Sequence, residues 1–156
     1  LFILTIISSC SCKKEKEMTA SDAFLFQIRL IDTLGVERNS FGQNSDIIFE
    51  FNISNITNKS IICWEILHCA ELKFLVFRND SLIGHPNPDS LYCDDALRSY
   101  NILAHETKKA SINWYKNPQN EPLPIGSYNV IFKSKIALYE PKNWEDIEIE
   151  KNFTVH

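Results

Sequence analysis

The sequence predicts an all-β fold, an antiparallel β-sandwich of about seven strands. Short runs rich in β-branched and aromatic residues recur at roughly ten-residue spacing, with turn residues between them. Several runs alternate apolar and polar residues, which is the period of a half-buried strand. The chain shows no long helical period, and its uneven loops and four glycines favour a sandwich over a barrel.

The predicted strands follow one another along the chain. Their apolar positions are Phe24, Phe26, Ile28 and Leu30; Ile47, Phe49, Phe51 and Ile53; the run 60–67; Leu72, Phe74 and Val76; Ala110, Ile112 and Trp114; Tyr128, Val130 and Phe132, running on to Leu138; and Ile147, Ile149, Phe153 and Val155. The polar and Pro-rich segments 37–45, 83–95 and 116–124 are predicted as loops. Because Asp94 can cap a helix, one helical turn is predicted from Asp94 to Tyr100.

The N-terminal residues resemble a bacterial lipoprotein signal. The apolar run from Leu1 to Ile7 is too short to span a bilayer, and the small residues Ser8 and Ser9 separate it from Cys10. The resemblance implies cleavage before Cys10, whose thiol would carry a diacylglycerol with acyl chains such as palmitate. Cys12 fits less well, because Ser9 would then occupy the aliphatic position of the motif. The alternative is a buried N-terminal strand.

This interpretation divides the chain into three parts. Residues 1–9 form a signal peptide whose start is missing, 10–22 a lipidated tether, and 23–156 the sandwich domain. The tether is charged and unpatterned, so we expect it to be disordered. The expected location is the cell envelope, at the periplasmic or surface face of the outer membrane.

Three cysteines remain in the domain, Cys63, Cys69 and Cys93. Export leads to an oxidising compartment, where a disulfide persists. A Cys69–Cys93 bridge is predicted because it would close a polar loop between two strand regions. A Cys63–Cys69 bridge and three reduced thiols are the alternatives. Cys63 lies in an apolar run, where a cysteine packs as a small hydrophobic side chain.

No residues are predicted to be catalytic, to bind a cofactor or to hold a metal. With 16 basic and 20 acidic residues and no basic patch, the chain does not favour nucleic acid as a partner. The four histidines lack metal-ligand spacing, and no serine sits in a Gly-Xaa-Ser-Xaa-Gly motif. The acidic residues between Glu145 and Glu150 alternate with Ile147 and Ile149. This pattern predicts the solvated face of a strand.

Four segments, in order, resemble the BsuPI-type intracellular proteinase inhibitor domain. They are Phe49–Thr57, Leu72–Asp80, Leu103–Trp114 and Leu123–Tyr128. The resemblance covers roughly residues 47–132 and implies an immunoglobulin-like sandwich. Ala104-His105-Glu106 stands where the family has Pro-Gly-Glu. Gly126-Ser-Tyr128 also predicts a corner in which the tyrosine hydroxyl fixes the preceding loop.

These observations together favour a non-enzymatic binding or assembly module. A lipid anchor would hold it on a membrane, where it would recognise an envelope protein or a glycan through its loops or an edge strand. The family resemblance implies an alternative, a proteinase inhibitor that acts through an exposed loop such as Ile83 to Leu91.

The predicted disulfide can be tested by mass. A Cys69–Cys93 bridge requires Cα atoms within about 7 Å of each other. Reduction should raise the mass by about 2 Da, because each sulfur gains a hydrogen. Mass spectrometry of the intact protein with and without reductant measures this. An unchanged mass would show that packing alone holds this loop.

Overall fold

The computed structural model describes residues 17–67, 74–86, 96–114 and 120–156. These residues contain one short helix and ten strands. The elements are α1 (Ala20–Ala23), β1 (Phe24–Ile31), β2 (Ser40–Phe41), β3 (Ile48–Asn55), β4 (Ile61–Leu67), β5 (Phe74–Arg78), β6 (Ser81–Gly84), β7 (Ala96–Ile102), β8 (Thr107–Asn113), β9 (Gly126–Leu138) and β10 (Glu145–Val155). In this part of the chain no helix is long and apolar enough to cross a membrane.

The strands form two sheets that pack as a sandwich. The smaller sheet has the order β1-β3-β8, and the larger has the order β2-β10-β9-β4-β7, with β5 and β6 attached beside β9. Every pair is antiparallel except β2 with β10. Immunoglobulin-like sandwiches divide their strands between two sheets in a comparable way. The predicted all-β, immunoglobulin-like sandwich is confirmed, with several short strands beyond the seven expected.

Strand β9 organises the larger sheet. It pairs with the whole of β10, from Gly126 opposite Val155 to Ile136 opposite Glu145. Its other edge is shared, since β4 pairs with its last residues and β5 with the residues around Val130. The two shorter strands therefore lie end to end along one long strand.

The core is aromatic and joins the two sheets. Phe51 of β3 stacks on Phe132 of β9, with ring centroids 3.8 Å apart and planes 13° apart. Phe74 meets the Phe132 ring edge-on at 5.1 Å. Antibody domains join the equivalent pair of strands with a disulfide. Here stacked rings and burial of their apolar surface hold the sheets together.

The strand prediction is correct wherever the alternation is strong. The inward positions of β1, β3, β9 and β10 are largely buried, as expected. The acidic positions of β10 form a solvated face, where Glu148 pairs with Lys133 at 2.8 Å and Asp146 with Lys135 at 3.3 Å. The Tyr128 hydroxyl donates to the Pro124 carbonyl, which confirms the predicted corner.

The helical turn predicted from Asp94 to Tyr100 is wrong. Residues 96–102 form β7, which pairs with the whole of β4. The edge of β4 offers backbone hydrogen bonds along seven residues, and these outweigh one capping residue. Asp94 itself lies outside the described residues.

β2 lies in the predicted loop 37–45, and β6 overlaps the start of the predicted loop 83–95. In the turn before β6, Asn79 and Asp80 have φ of 49° and 60°, the left-handed values of a two-residue hairpin turn. In β2, Phe41 is buried and pairs with Val155.

The expected disorder of the tether is wrong for residues 19–22. Thr19 and Asp22 form a capping box at the start of α1. The buried Ala20 donates its N–H to Glu145 Oε1 at 2.6 Å. These contacts fix the end of the N-terminal segment against the β9–β10 turn.

Phe51→Ala tests how much the stack of Phe51 on Phe132 contributes to stability. Removing the ring leaves a cavity between the sheets, so we expect the free energy of unfolding to fall by about 3–5 kcal/mol. Leu25→Ala, at a side chain that is 58% exposed on β1, is the control and should change it by less than about 0.5 kcal/mol. Denaturant titration measures both. Equal effects of the two substitutions would contradict a central role for the stack.

Candidate binding cleft between β7 and β8

The structure does not test the site residues that the sequence predicts. Cys10, Cys69 and Cys93 lie outside the described residues. Cys63 is fully buried on β4, as expected of a cysteine in an apolar strand. Among residues 17–67, 74–86, 96–114 and 120–156, no group of three or more His, Cys, Asp or Glu could hold a metal ion.

One side of the sandwich is closed by ion pairs. Glu37 accepts from Arg29 of β1 at 2.9 Å and from Lys151 of β10 at 2.6 Å, so its carboxylate bridges the two sheets. These cations, Lys151 first and then Arg29, hold the pKa of Glu37 below its usual value. β2 also pairs with β10 on this side.

The opposite side is open. Here β7 is the last strand in the order of the larger sheet, and β8 is the last strand in the order of the smaller one. Residues 103–106 connect these two strands. A cleft of about 460 Å³ lies between the two strands, within the range of about 300–1,000 Å³ common for ligand sites. Phe51, Phe74 and Phe132 contribute to its lining, so it reaches the aromatic core.

The inner face of β8 forms one wall. Residues paired directly across two antiparallel strands point to the same face of the sheet. Ala110 pairs with Phe51 and Ile112 with Phe49, so both face the interior. Ala110 is nevertheless exposed and Ile112 half-buried, because the larger sheet does not close over them.

The inner face of β7 forms the other wall and carries polar groups. In the strand register, Tyr100 lies opposite Cys63 and Arg98 lies opposite Glu65. Glu65 is only 7% exposed, and its carboxylate accepts from the Tyr100 hydroxyl and from Ser134 Oγ. Burial first, and the nearby Glu65 charge second, raise the pKa of Tyr100 well above its usual value. The phenol thus stays neutral and keeps donating to Glu65.

The rim of the cleft is largely cationic. Arg98, Lys108 and Lys109 are exposed along its edges. Glu106 pairs with Lys108 at 2.5 Å and accepts from the Leu103 N–H at 2.8 Å, and these contacts lower its pKa. The buried Glu65 already has two donors. Lys109 lies 3.9 Å from Glu50, so the rim combines exposed cations with acidic partners.

A buried amide fixes the connection between the two walls. Asn55 Nδ2 lies 3.0 Å from the carbonyl oxygens of Ile102 and Leu103, and 2.7 Å from that of Lys59. Its backbone N–H also donates to the Glu106 carbonyl at 2.9 Å. These bonds hold the 103–106 turn on the end of β3, so the cleft keeps its shape without a ligand.

Sequence reasoning did not find this cleft, although one signal was present. Ile61, Cys63 and Glu65 share the inward phase of one strand. A carboxylate at a position that should face the core indicates a hydrogen-bonded polar site. The partners Tyr100 and Arg98 could not be found, because both were assigned to the helical turn from Asp94 to Tyr100.

No family model matches the chain, and no curated protein matches its sequence. Among similar solved structures, the CARDB domain of a Pyrococcus furiosus protein, in complex with di-metal ions, is 11% identical over 86% of this chain and 90% of that one, with a TM-score of 0.39. The C-terminal domain of wzt is 11% identical over 84% and 73%, with a TM-score of 0.39. PapD-like domain 7 (ASH) of human CEP192 is 13% identical over 96% of each chain, with a TM-score of 0.40. Scores this low add nothing about function.

Tyr100→Phe tests the Glu65–Tyr100 pair through pH. The unfolded phenol ionises near pH 10, whereas the folded phenol stays protonated above that pH. Deprotonation thus favours the unfolded chain, and the contribution of Tyr100 to stability should be lost as pH rises above about 10. The advantage of the wild type over Tyr100→Phe should be constant below about pH 10 and should fall steadily as the pH rises above that value.

Denaturant unfolding at several pH values gives these differences. The same comparison with Tyr139→Phe, which removes an exposed phenol, supplies the baseline. A constant difference between wild type and Tyr100→Phe would show that the pair does not hold the phenol neutral.

Proposed function

We propose that the chain is a non-enzymatic, lipid-anchored binding module of the cell envelope. Its ligand would be an extended segment of an envelope protein, held along β8. The observation that carries the proposal is the apolar cleft between two edge strands, with a cationic rim. The lipobox-like Ile7-Ser-Ser-Cys10 supports the anchor.

The backbone of β8 can accept another strand. Within the described part of the chain, β8 pairs with β3 along one edge, and its other edge borders the cleft. Its residues from Thr107 to Ser111 are exposed. An extended peptide can add to such an edge through main-chain hydrogen bonds, while pockets for alternate side chains supply specificity.

The cleft also indicates the composition of the segment. Apolar side chains of a bound strand would lie over Ala110 and Ile112. Acidic side chains would face Lys108, Lys109 and Arg98. Lysines on an edge strand hinder pairing between two copies of the same chain. The chemistry therefore favours a partner that alternates apolar and acidic residues over self-association.

Photo-crosslinking tests the proposed function. Ala110 is replaced by p-benzoylphenylalanine in the full chain, which is then irradiated in cells that make it. We expect a cross-link to an extended, acidic segment of one envelope protein, because position 110 lines the cleft and is accessible. Mass spectrometry of the adduct identifies the segment.

Matched charge reversals complete the test. Lys108→Glu with Lys109→Glu should abolish the adduct, since the rim would repel an acidic segment. Lys133→Glu with Lys135→Glu makes the same charge change on exposed residues of β9 and should leave the adduct intact. An equal loss in both double variants, or no adduct from position 110, would contradict binding in the cleft.

Proteinase inhibition, which the family resemblance implies, stays a prediction. Most of the loop from Ile83 to Leu91 lies outside the described residues. Titration of the purified protein against serine proteases would decide it, and unchanged hydrolysis would exclude it.

A further inference from the structure

Apolar and aromatic side chains gather where the described chain begins. Met18 is 42% exposed, Tyr139 is 47% exposed, and Trp144 is half-buried. Together they line a second hollow, which lies between the N-terminal segment and the β9–β10 turn. We call these three residues the N-terminal patch. It is separate from the cleft and shares no lining residue with it.

The patch is held in place by backbone contacts. The Tyr139 N–H donates to the Ile62 carbonyl at 2.8 Å, and Trp64 Nε1 donates to the Tyr139 carbonyl at 3.0 Å. Tyr139 has a φ of 62°, a left-handed value that non-glycine residues rarely adopt. These hydrogen bonds hold that conformation and keep the tyrosine ring at the surface. Ile62 and Trp64 extend the apolar surface next to the patch.

The N-terminal segment is tied to the same place. Asn143 Nδ2 donates to Glu17 Oε1 at 3.0 Å, and the Ala20 N–H donates to Glu145 Oε1 at 2.6 Å. Asn143 lies in the turn that carries Trp144, and Glu145 is the first residue of the strand that follows this turn. The chain therefore enters the domain beside the patch.

Chain length then limits how far the patch can lie from a lipid anchor. Glu17 follows Cys10 by seven positions. Even a fully extended chain covers at most about 25 Å over that distance, at about 3.5 Å per residue. A lipid on Cys10 would hold this end of the domain close to the membrane surface.

We infer that the N-terminal patch rests in the headgroup region of the bilayer that holds the anchor. This inference depends on the lipid anchor of the proposed function. Tryptophan and tyrosine favour the membrane interface, because one end of each side chain is apolar and the other polar. Lys142, which pairs with Glu140, can extend its ammonium toward the headgroups. The domain would then lie against the membrane at one defined end.

Tryptophan quenching tests this orientation. The full chain, acylated at Cys10, is reconstituted into phosphatidylcholine vesicles whose lipids carry bromine near the headgroup. In Trp64→Phe the remaining indoles are Trp144 and Trp114, and Trp114 is only 3% exposed. Bromolipid should quench most of the Trp144 emission. Trp64→Phe with Trp144→Phe leaves Trp114 alone and supplies the unquenched baseline.

A matched pair of surface variants sharpens the result. Met18→Ser, in the patch, should weaken the quenching of Trp144, whereas Leu34→Ser, in the turn at the far end of β1, should not. Quenching no greater than the Trp114 baseline, in acylated protein that floats with the vesicles, would overturn the inference and leave the anchor standing. An intact mass without acyl groups on Cys10 would overturn the anchor and the inference together.

Discussion

The stack of Phe51 on Phe132 is the contact on which the fold depends. It joins the central strand of the smaller sheet to the longest strand of the larger one. Both residues also line the cleft, so the contact that stabilises the sandwich is also part of the cleft wall. A disulfide would cross-link the two strands through one pair of sulfur atoms, whereas stacked rings bury apolar area that extends to neighbouring side chains. The core can therefore reach the open side of the sandwich without losing its connection.

Strong local patterns predicted most of the strands. In β3 and β9 alternate side chains are apolar over many residues, and such a pattern fits one face of a buried sheet. Strands with a weak local pattern were not predicted, because their structure depends on the strand they pair with. Residues 96–102 become a strand because β4 presents a bare edge, and their partners in β4 lie 29 to 41 positions earlier in the sequence. β6 differs, because a local signal does indicate it: Asn79-Asp80 is typical of a two-residue hairpin turn.

The candidate site was harder to predict than the fold. Its walls come from the ends of two different sheets, and Glu65 meets Tyr100 only after both strands have paired. Charge counting along the sequence does not separate Lys108 and Lys109 from lysines on outer faces. What places Lys108 beside an apolar cleft is its register opposite Ile53. Sequence could thus indicate a polar position in the core, but not the cavity around it.

The order β1-β3-β8 also has a mechanical consequence. The chain enters from the N-terminal segment at Phe24, the first residue of β1, whereas a segment held in the cleft would lie on β8. A pull applied along the strands between the membrane and such a partner would load the ladder from β1 through β3 to β8 in shear. In that geometry the hydrogen bonds of a ladder resist together, whereas a pull across the strands would open them one after another. If the chain is anchored and holds a segment in the cleft as proposed, the smaller sheet would carry the tension between the two.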